Sequence, residues 1–101
     1  MTSSEQAGPE ILVRLYEVIE SRKGGDPRRS RTARLFDGGL GKIAQKLGEE
    51  ATETVVAALS ESDQRLVSEA ADLLYHLLVL LAAREVRPEA VYAELAARGR
   101  A

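Results

Sequence analysis

Two stretches of the chain each carry acidic residues three positions apart. Glu50 and Glu53 form one pair, and Glu69 and Asp72 form the other. Because residues three apart lie on the same side of an α-helix, each pair presents two carboxylates in one direction. Carboxylate oxygens are the ligands that hard divalent cations prefer in proteins. Two such pairs on facing helices therefore predict a magnesium site between them.

The surroundings of the second pair favour a metal. Residues 70–83 are almost entirely apolar, and Asp72 and His76 interrupt them on one narrow strip that Glu69 extends. A helix that is apolar on nearly every side is usually buried. Burying ionised carboxylates is costly unless a partner compensates their charge. A bound divalent cation would supply that compensation.

The first pair also has a simpler interpretation. Glutamates grouped on a helix, here Glu49, Glu50 and Glu53, usually only solvate an exposed face, and Lys46 can pair with Glu50 one turn away. At about 100° per residue, however, Glu50 lies at the border of the apolar stripe and Glu49 lies nearly opposite the core. Glu50 is therefore the acid expected to face inward.

Three ring-bearing residues are interpreted as structural. His76, the only histidine, follows Asp72 by one turn. It is expected to hydrogen-bond a neighbouring carboxylate or backbone carbonyl rather than act directly in catalysis. Tyr75 and Tyr92 are expected to be packing residues.

A glycine- and arginine-rich segment, residues 23–41, precedes the first acidic pair. Its composition predicts a break in regular structure that concentrates positive charge. Arg31 and Arg34 are expected to bind phosphate, while Arg28 and Arg29 have the alternative of only keeping the loop soluble. The segment is the predicted loop for an anionic ligand.

Apolar spacing and capping residues place these groups on about four helices. The first covers about residues 9–22, and the second runs from Leu40 to Leu59 or Ser60. The third follows a cap at Ser60, Ser62 or Asp63 and runs to about Arg84, and the fourth runs from Pro88 to Arg98 or Gly99. The apolar stripe of the second helix is predicted to consist of Leu40, Ile43, Ala44, Leu47, Ala51, Thr54, Val55 and Ala58. The predicted fold is an all-α antiparallel helical bundle over residues 9–101, preceded by a flexible N-terminus, residues 1–8. Val56, opposite the stripe, and the apolar third helix both need cover, which predicts a homodimer.

Composition narrows the classes of protein. The 101 residues are 45% hydrophobic but only 4% aromatic, which suits a core of aliphatic side chains on helices. The net charge of −2 gives no general attraction to nucleic acid or to anionic membranes, and the absence of cysteine excludes thiolate metal sites. Residues 1–8 lack the features of a signal peptide, and residues 70–83 are shorter than the roughly 20 needed to cross a bilayer. These features predict neither export nor a membrane span.

Longer motifs connect these residues to a known family. The pattern Glu50-x-x-Glu53, then Glu69-x-x-Asp72, resembles the ExxE…ExxD signature of the MazG-like, all-α NTP pyrophosphohydrolases. Within that superfamily the chain resembles the phosphoribosyl-ATP pyrophosphatases in residues 30–36 (SRTARLF), 41–51 (GKIAQKLGEEA), 69–78 (EAADLLYHLL) and 91–95 (VYAEL). The resemblance covers nearly all of the chain beyond residue 9.

The resemblance implies hydrolysis of phosphoribosyl-ATP to phosphoribosyl-AMP and pyrophosphate, the second step of histidine biosynthesis, by a magnesium-dependent cytoplasmic homodimer. Mn2+ is expected to substitute for Mg2+. The implied metal ligands are Glu50, Glu53, Glu69 and Asp72, and Glu49 or an unligated carboxylate of the cluster would accept the proton of the attacking water. The implied phosphate-binding residues are Ser30, Arg31, Thr32, Arg34, Lys42 and Lys46.

Two alternatives share much of this description. A housecleaning (d)NTP pyrophosphohydrolase would have the same metal site and a different pocket for the sugar and base. A non-catalytic helical interaction module would need no divalent cation at all. Substrate preference separates the first alternative, and metal-dependent release of pyrophosphate separates the second.

Overall fold

The computed structural model describes residues 7–99, and within that range it contains α-helices and no strand. The five helices are α1 (Glu10–Ser21), α2 (Arg31–Gly38), α3 (Leu40–Ser60), α4 (Asp63–Ala83) and α5 (Pro88–Arg98). The predicted all-α fold is confirmed, and α1, α3, α4 and α5 match the four predicted helices to within one or two residues. Most of the predicted flexible N-terminus, residues 1–6, lies outside the described range.

Capping residues explain several of these ends. The Ser62 side chain accepts a hydrogen bond from the backbone N–H of Arg65 at 3.2 Å and begins α4. Pro88 occupies the first turn of α5, where its missing N–H costs nothing. Gly99 ends that helix with a left-handed φ of 71°, a conformation that glycine adopts without strain.

The prediction that residues 23–41 form a loop was wrong for α2. Ser30 caps this helix by accepting the N–H of Ala33 at 3.0 Å, and Ala33 is buried. Leu35 and Phe36 pack against the hydrophobic core. Gly39, at a φ of 89°, ends α2 and allows α3 to start at the next residue. The glycine-rich segment is thus a turn followed by a short helix.

The helical hairpin of α3 and α4 is the centre of the fold. Only two residues separate the two 21-residue helices, which run antiparallel and form the most extensive helix pair in the described structure. The other helices pack around this hairpin: α1 against α4, α2 against both α3 and α4, and α5 against α1. The buried core cluster consists of Tyr16, Ile19, Ile43, Leu78, Val79 and Ala82.

Tyr16 shows how α1 and α5 join this core. Its ring is buried, its hydroxyl donates to Glu20 at 2.9 Å, and the guanidinium of Arg87 lies over the ring at 5.2 Å. Burial, reinforced by the neighbouring carboxylate, raises the pKa of Tyr16 to about 12. The phenol therefore stays neutral throughout the physiological range.

The buried face of α3 differs from the predicted stripe. Ile43, Glu50 and Ala57 are the buried residues, while Leu40 and Val55 are exposed. The antiparallel contact with α4 selects a face rotated from the one that apolar composition alone favours. Glu50 nevertheless faces inward, as predicted.

In the single chain α4 is not buried on every side, which agrees with the prediction that its apolar surface needs cover from outside the chain. Val67 is 68% exposed and Leu74 is 45% exposed, whereas Glu69 and His76 are buried. Within the described residues α4 is the one helix long and apolar enough by composition to cross a membrane, with 21 residues and a mean hydropathy of 1.7 over its best window. Its contacts with three other helices are those of a core helix.

Candidate active site

Three carboxylates from the central hairpin converge. Oxygens of Glu50 on α3 and of Glu69 and Asp72 on α4 all lie within 4.8 Å of one another. Glu50 is 7% exposed and Glu69 is 5% exposed, so two of the three are removed from water. Such an all-oxygen cluster has the donor chemistry of a Mg2+, Mn2+ or Ca2+ site.

The hydrogen bonds around the cluster leave one oxygen unsatisfied. Glu69 Oε2 accepts a charge-assisted hydrogen bond from Arg65, whose side chain is 57% exposed and also lies 3.4 Å from Glu61. Glu50 Oε2, by contrast, is buried without a hydrogen-bond partner among the described residues. A buried carboxylate oxygen in that position is costly unless a cation binds it. The residues present therefore fit a divalent cation.

Thr54 connects the two helices beside the cluster. Its hydroxyl lies 2.8 Å from the carbonyl oxygen of Glu50 and 3.2 Å from that of Glu69. The first contact stays within α3 and the second crosses to α4. Because a hydroxyl has one proton, the two carbonyl oxygens share a single bifurcated hydrogen bond, and its longer branch links the two helices beside the acids.

The other two predicted acids lie outside this group. Glu53 is exposed and lines a small cleft of about 130 Å³ together with Arg65 and Glu69. Three residues advance an α-helix by about 300°, which turns Glu53 roughly 60° away from Glu50. Glu49 is also exposed and contacts Gln45 at 3.1 Å and Lys46 at 3.6 Å. Lys46 therefore pairs with Glu49 instead of Glu50, and the hydrogen bond from Gln45 is the main cause that lowers the pKa of Glu49.

A cationic cleft lies between α2 and the start of α3. It has a volume of about 510 Å³ and is lined by Arg31, Arg34, Leu35, Asp37, Gly38, Lys42 and Lys46. Four of the six predicted phosphate-binding residues thus share one cleft. Arg34 also donates to the carbonyl oxygen of Pro27 at 2.8 Å, which ties the preceding turn to α2.

The two predicted hydroxyl donors also have structural partners. Ser30 caps α2, and the Thr32 hydroxyl lies 2.6 Å from the hydroxyl of Tyr75 on α4. Arg28 forms an ion pair with Asp26 at 3.3 Å, which agrees with a role in the turn. Arg29 lines a separate cleft of about 480 Å³ on the other side of Ser30.

His76 is held by the backbone, as predicted. Its ring is fully buried, and Nδ1 lies 2.8 Å from the carbonyl oxygen of Asp72. A carbonyl can only accept, so Nδ1 carries the proton and donates it. Nε2 is buried without a hydrogen-bond partner among the described residues. The Tyr75 ring packs edge-on against the His76 ring, with the two ring centres 4.9 Å apart. Packing by Tyr75 was predicted, but this partner was not.

Comparisons with known proteins agree on one family. The model of the phosphoribosyl-ATP pyrophosphohydrolase family matches residues 12–99. The phosphoribosyl-ATP pyrophosphatase of Paramagnetospirillum magneticum is 66% identical over 88 residues, which cover 87% of this chain and 81% of the relative. The protein of the same description from Rhodospirillum rubrum is 57% identical over 95 residues, covering 94% and 81%. That of Azospirillum brasilense is 52% identical over 88 residues, covering 87% and 79%.

The Thr54 bridge provides a test of the hairpin geometry. Thr54→Val keeps the shape of the side chain and removes its hydroxyl, and we expect it to lower the free energy of unfolding by about 1 kcal/mol. Thr52→Val is the matched control, because the Thr52 hydroxyl is exposed and contacts only the carbonyl of Gly48 in its own helix. Urea unfolding at one fixed protein concentration measures both. Equal losses in the two variants would contradict a specific bridge at Thr54.

Proposed function

The chain belongs to the phosphoribosyl-ATP pyrophosphohydrolase family, and we propose that it hydrolyses phosphoribosyl-ATP to phosphoribosyl-AMP and pyrophosphate. This reaction is the second step of histidine biosynthesis. The observation that carries the proposal is the juxtaposition of a buried carboxylate cluster with a separate cleft lined by arginine and lysine side chains. Because a polyanionic nucleotide stays in the compartment that makes it, we propose a cytoplasmic location as well.

The carboxylates are proposed to bind magnesium, for which manganese can substitute. Glu50, Glu69 and Asp72 would hold the cation, with Glu53 reaching it from the rim of the adjoining cleft. When bound, the ion supplies Lewis acidity to the triphosphate oxygens and lowers the pKa of a water molecule. Burial of Glu50 and Glu69 limits access of bulk solvent to this charge.

The remaining residues would divide the rest of the reaction. Arg31, Arg34, Lys42 and Lys46 neutralise phosphate charge, the arginines through pairs of parallel hydrogen bonds. Water would add at one phosphorus of the α–β bridge and the bond from that phosphorus to the bridging oxygen would break. The proton of the water would pass to a carboxylate, and phosphoribosyl-AMP and pyrophosphate would be released.

The proton would pass to Glu49 or to a carboxylate of the site that does not bind the cation. Glu49 is exposed and contacts Gln45 and Lys46 on its own helix. Glu53 lines a cleft with Glu69 itself.

Release of pyrophosphate tests the proposal directly. Purified protein is incubated with phosphoribosyl-ATP, ATP, dATP, dCTP and dUTP, each with Mg2+ and with EDTA. We expect Mg2+-dependent release of pyrophosphate with the highest kcat/KM for phosphoribosyl-ATP. A preference for a (d)NTP would identify a housecleaning enzyme, and no release from any substrate would contradict catalysis.

The carboxylate cluster leads to a prediction for single substitutions. Glu50→Gln, Glu69→Gln, Asp72→Asn and Glu53→Gln keep the side-chain shape and remove the charge that holds the cation. We expect each to lower kcat by roughly 100-fold or more while the circular dichroism spectrum remains helical. Glu94→Gln, on α5, is the control and should leave kcat unchanged. Any cluster variant that retains near wild-type turnover at saturating Mg2+ is not a ligand.

The cationic cleft leads to a second prediction, about selectivity. The metal site would contact the triphosphate, which all nucleoside triphosphates share. Selectivity for phosphoribosyl-ATP therefore requires other residues that bind its additional phosphate. Arg31→Ala and Arg34→Ala are expected to raise KM for phosphoribosyl-ATP about tenfold to a hundredfold, with a smaller effect for ATP. Arg14→Ala removes an exposed arginine of α1 that does not line the cleft and serves as the control. Unchanged KM values for phosphoribosyl-ATP in both cleft variants would contradict this assignment.

Exposed apolar side chains on the central hairpin lead us to propose a homodimer. They include Val55, Val56 and Leu59 on α3 and Val67 and Leu74 on α4. Light scattering at micromolar concentration should show a dimer, and Leu59→Glu or Leu74→Glu should shift it toward monomer, since an interface core excludes unpaired charge. Leu95→Glu on α5 is the matched control. A folded wild-type monomer under these conditions would contradict the proposal.

A further inference from the structure

Tyr75 contacts the first turn of α2 in two ways. Its hydroxyl lies 2.6 Å from the hydroxyl of Thr32, and the guanidinium of Arg31 lies 5.1 Å from the centre of its ring. The first contact is a hydrogen bond and the second is a cation–π interaction. Both reach across 43 or 44 positions of the chain to neighbouring residues of one turn. Tyr75 therefore connects that turn directly to α4.

The short helix α2 depends on such contacts. An isolated helix of eight residues is marginal in water, and Ala33 is the one buried residue of α2. Ser30 caps its start, but that bond is local and does not attach the helix to the rest of the molecule. The Thr32–Tyr75 hydrogen bond does attach it. Arg31 is exposed and lines the cationic cleft.

The position of Tyr75 is itself fixed by α4. It follows Asp72 by three residues, and its ring packs edge-on against His76 at an angle of 81°. His76 is fully buried and bonded to the carbonyl of Asp72. The segment that contributes an acid to the carboxylate cluster thus also supports Tyr75. The helix α4 thus carries two of the three acids and the attachment point of α2.

We propose that Tyr75 is a positioning residue that holds Arg31 at a set distance from the carboxylate cluster. In this arrangement the triphosphate end of a substrate and its additional phosphate are bound by parts of one rigid frame. The inference rests on the proposed function for the identity of the substrate. Its physical content, that Tyr75 sets the anion affinity of the cleft through α2, is independent of that identity.

Four variants isolate the contacts. Tyr75→Phe removes the hydroxyl and keeps the ring beneath Arg31, and Thr32→Val removes the same hydrogen bond from the other side. We expect each to weaken binding of inorganic tripolyphosphate, measured by calorimetry in EDTA, by about threefold to tenfold. The double variant should be no weaker than the worse single variant, because both remove one bond. Tyr75→Leu also removes the ring and should lose roughly a further twofold to fivefold.

Controls separate positioning from general damage. Tyr92→Phe removes a buried hydroxyl from α5 and should leave tripolyphosphate binding unchanged. In Tyr75→Phe, Mn2+ affinity should stay at the wild-type value, and KM for phosphoribosyl-ATP should rise while kcat changes little.

Three results would overturn the proposal: unchanged tripolyphosphate affinity in Tyr75→Phe and Thr32→Val, additive losses in the double variant, or an equal loss of Mn2+ affinity. If the wild type does not hydrolyse phosphoribosyl-ATP and the variants still lose tripolyphosphate affinity together, the proposed substrate is wrong and the positioning role stands.

Discussion

The packing of α3 against α4 has to accommodate buried carboxylates, and the neighbouring contacts of the fold serve to stabilise them. Glu50 and Glu69 face each other across the most extensive helix contact in the described fold, at a position where apolar side chains would pack at lower cost. Arg65 compensates part of the charge on Glu69, and the Thr54 hydroxyl bridges the two backbones. Nothing among the described residues compensates Glu50 Oε2. The helix pair therefore surrounds a carboxylate oxygen that no other group of the described fold compensates. A cation binds strongly to such an oxygen because binding removes the cost of burying it unpaired.

The cationic cleft has the opposite charge to the carboxylate cluster and is formed by different parts of the fold. Its arginines stand on α2, a helix too short to be stable alone, and its lysines stand on the first turns of α3. Gly39 joins the two helices at a sharp corner, and Tyr75 attaches α2 to α4. Both sites therefore share the central hairpin as their support, although they bind charges of opposite sign. A substrate that spans them would be held at its two ends by groups whose spacing is set by helix packing.

Features that depend on nearby residues, such as helix ends, were predicted from the sequence. Features that depend on contacts between distant residues were missed. The periodicity of apolar residues and the capping residues, such as Ser62 and Pro88, predicted four helices. The helical angle between residues was enough to predict that Glu50 faces inward. The helix α2 was missed because glycines and arginines dominate its segment. Its stability comes from the Ser30 cap, from packing of Ala33, Leu35 and Phe36, and from Tyr75, more than 40 positions away. The i, i+3 pattern grouped Glu53 with Glu50, but the rotation between them leaves Glu53 on the rim. Val55 and Leu74 are apolar but exposed. Apolar composition therefore indicates that a helix surface should be buried, but it does not indicate which helix or second chain buries it.

If a divalent cation binds the buried, unpartnered carboxylate of Glu50, thermal unfolding detects it without any substrate. Wild-type protein and Glu50→Gln are unfolded at equal concentration in EDTA and in a series of Mg2+ concentrations. We expect Glu50→Gln to be at least as stable as the wild type in EDTA, and Mg2+ to raise the Tm of the wild type progressively but not that of the variant. A wild-type Tm that is the same in EDTA and in millimolar Mg2+, with Glu50→Gln less stable in both, would contradict cation binding at Glu50.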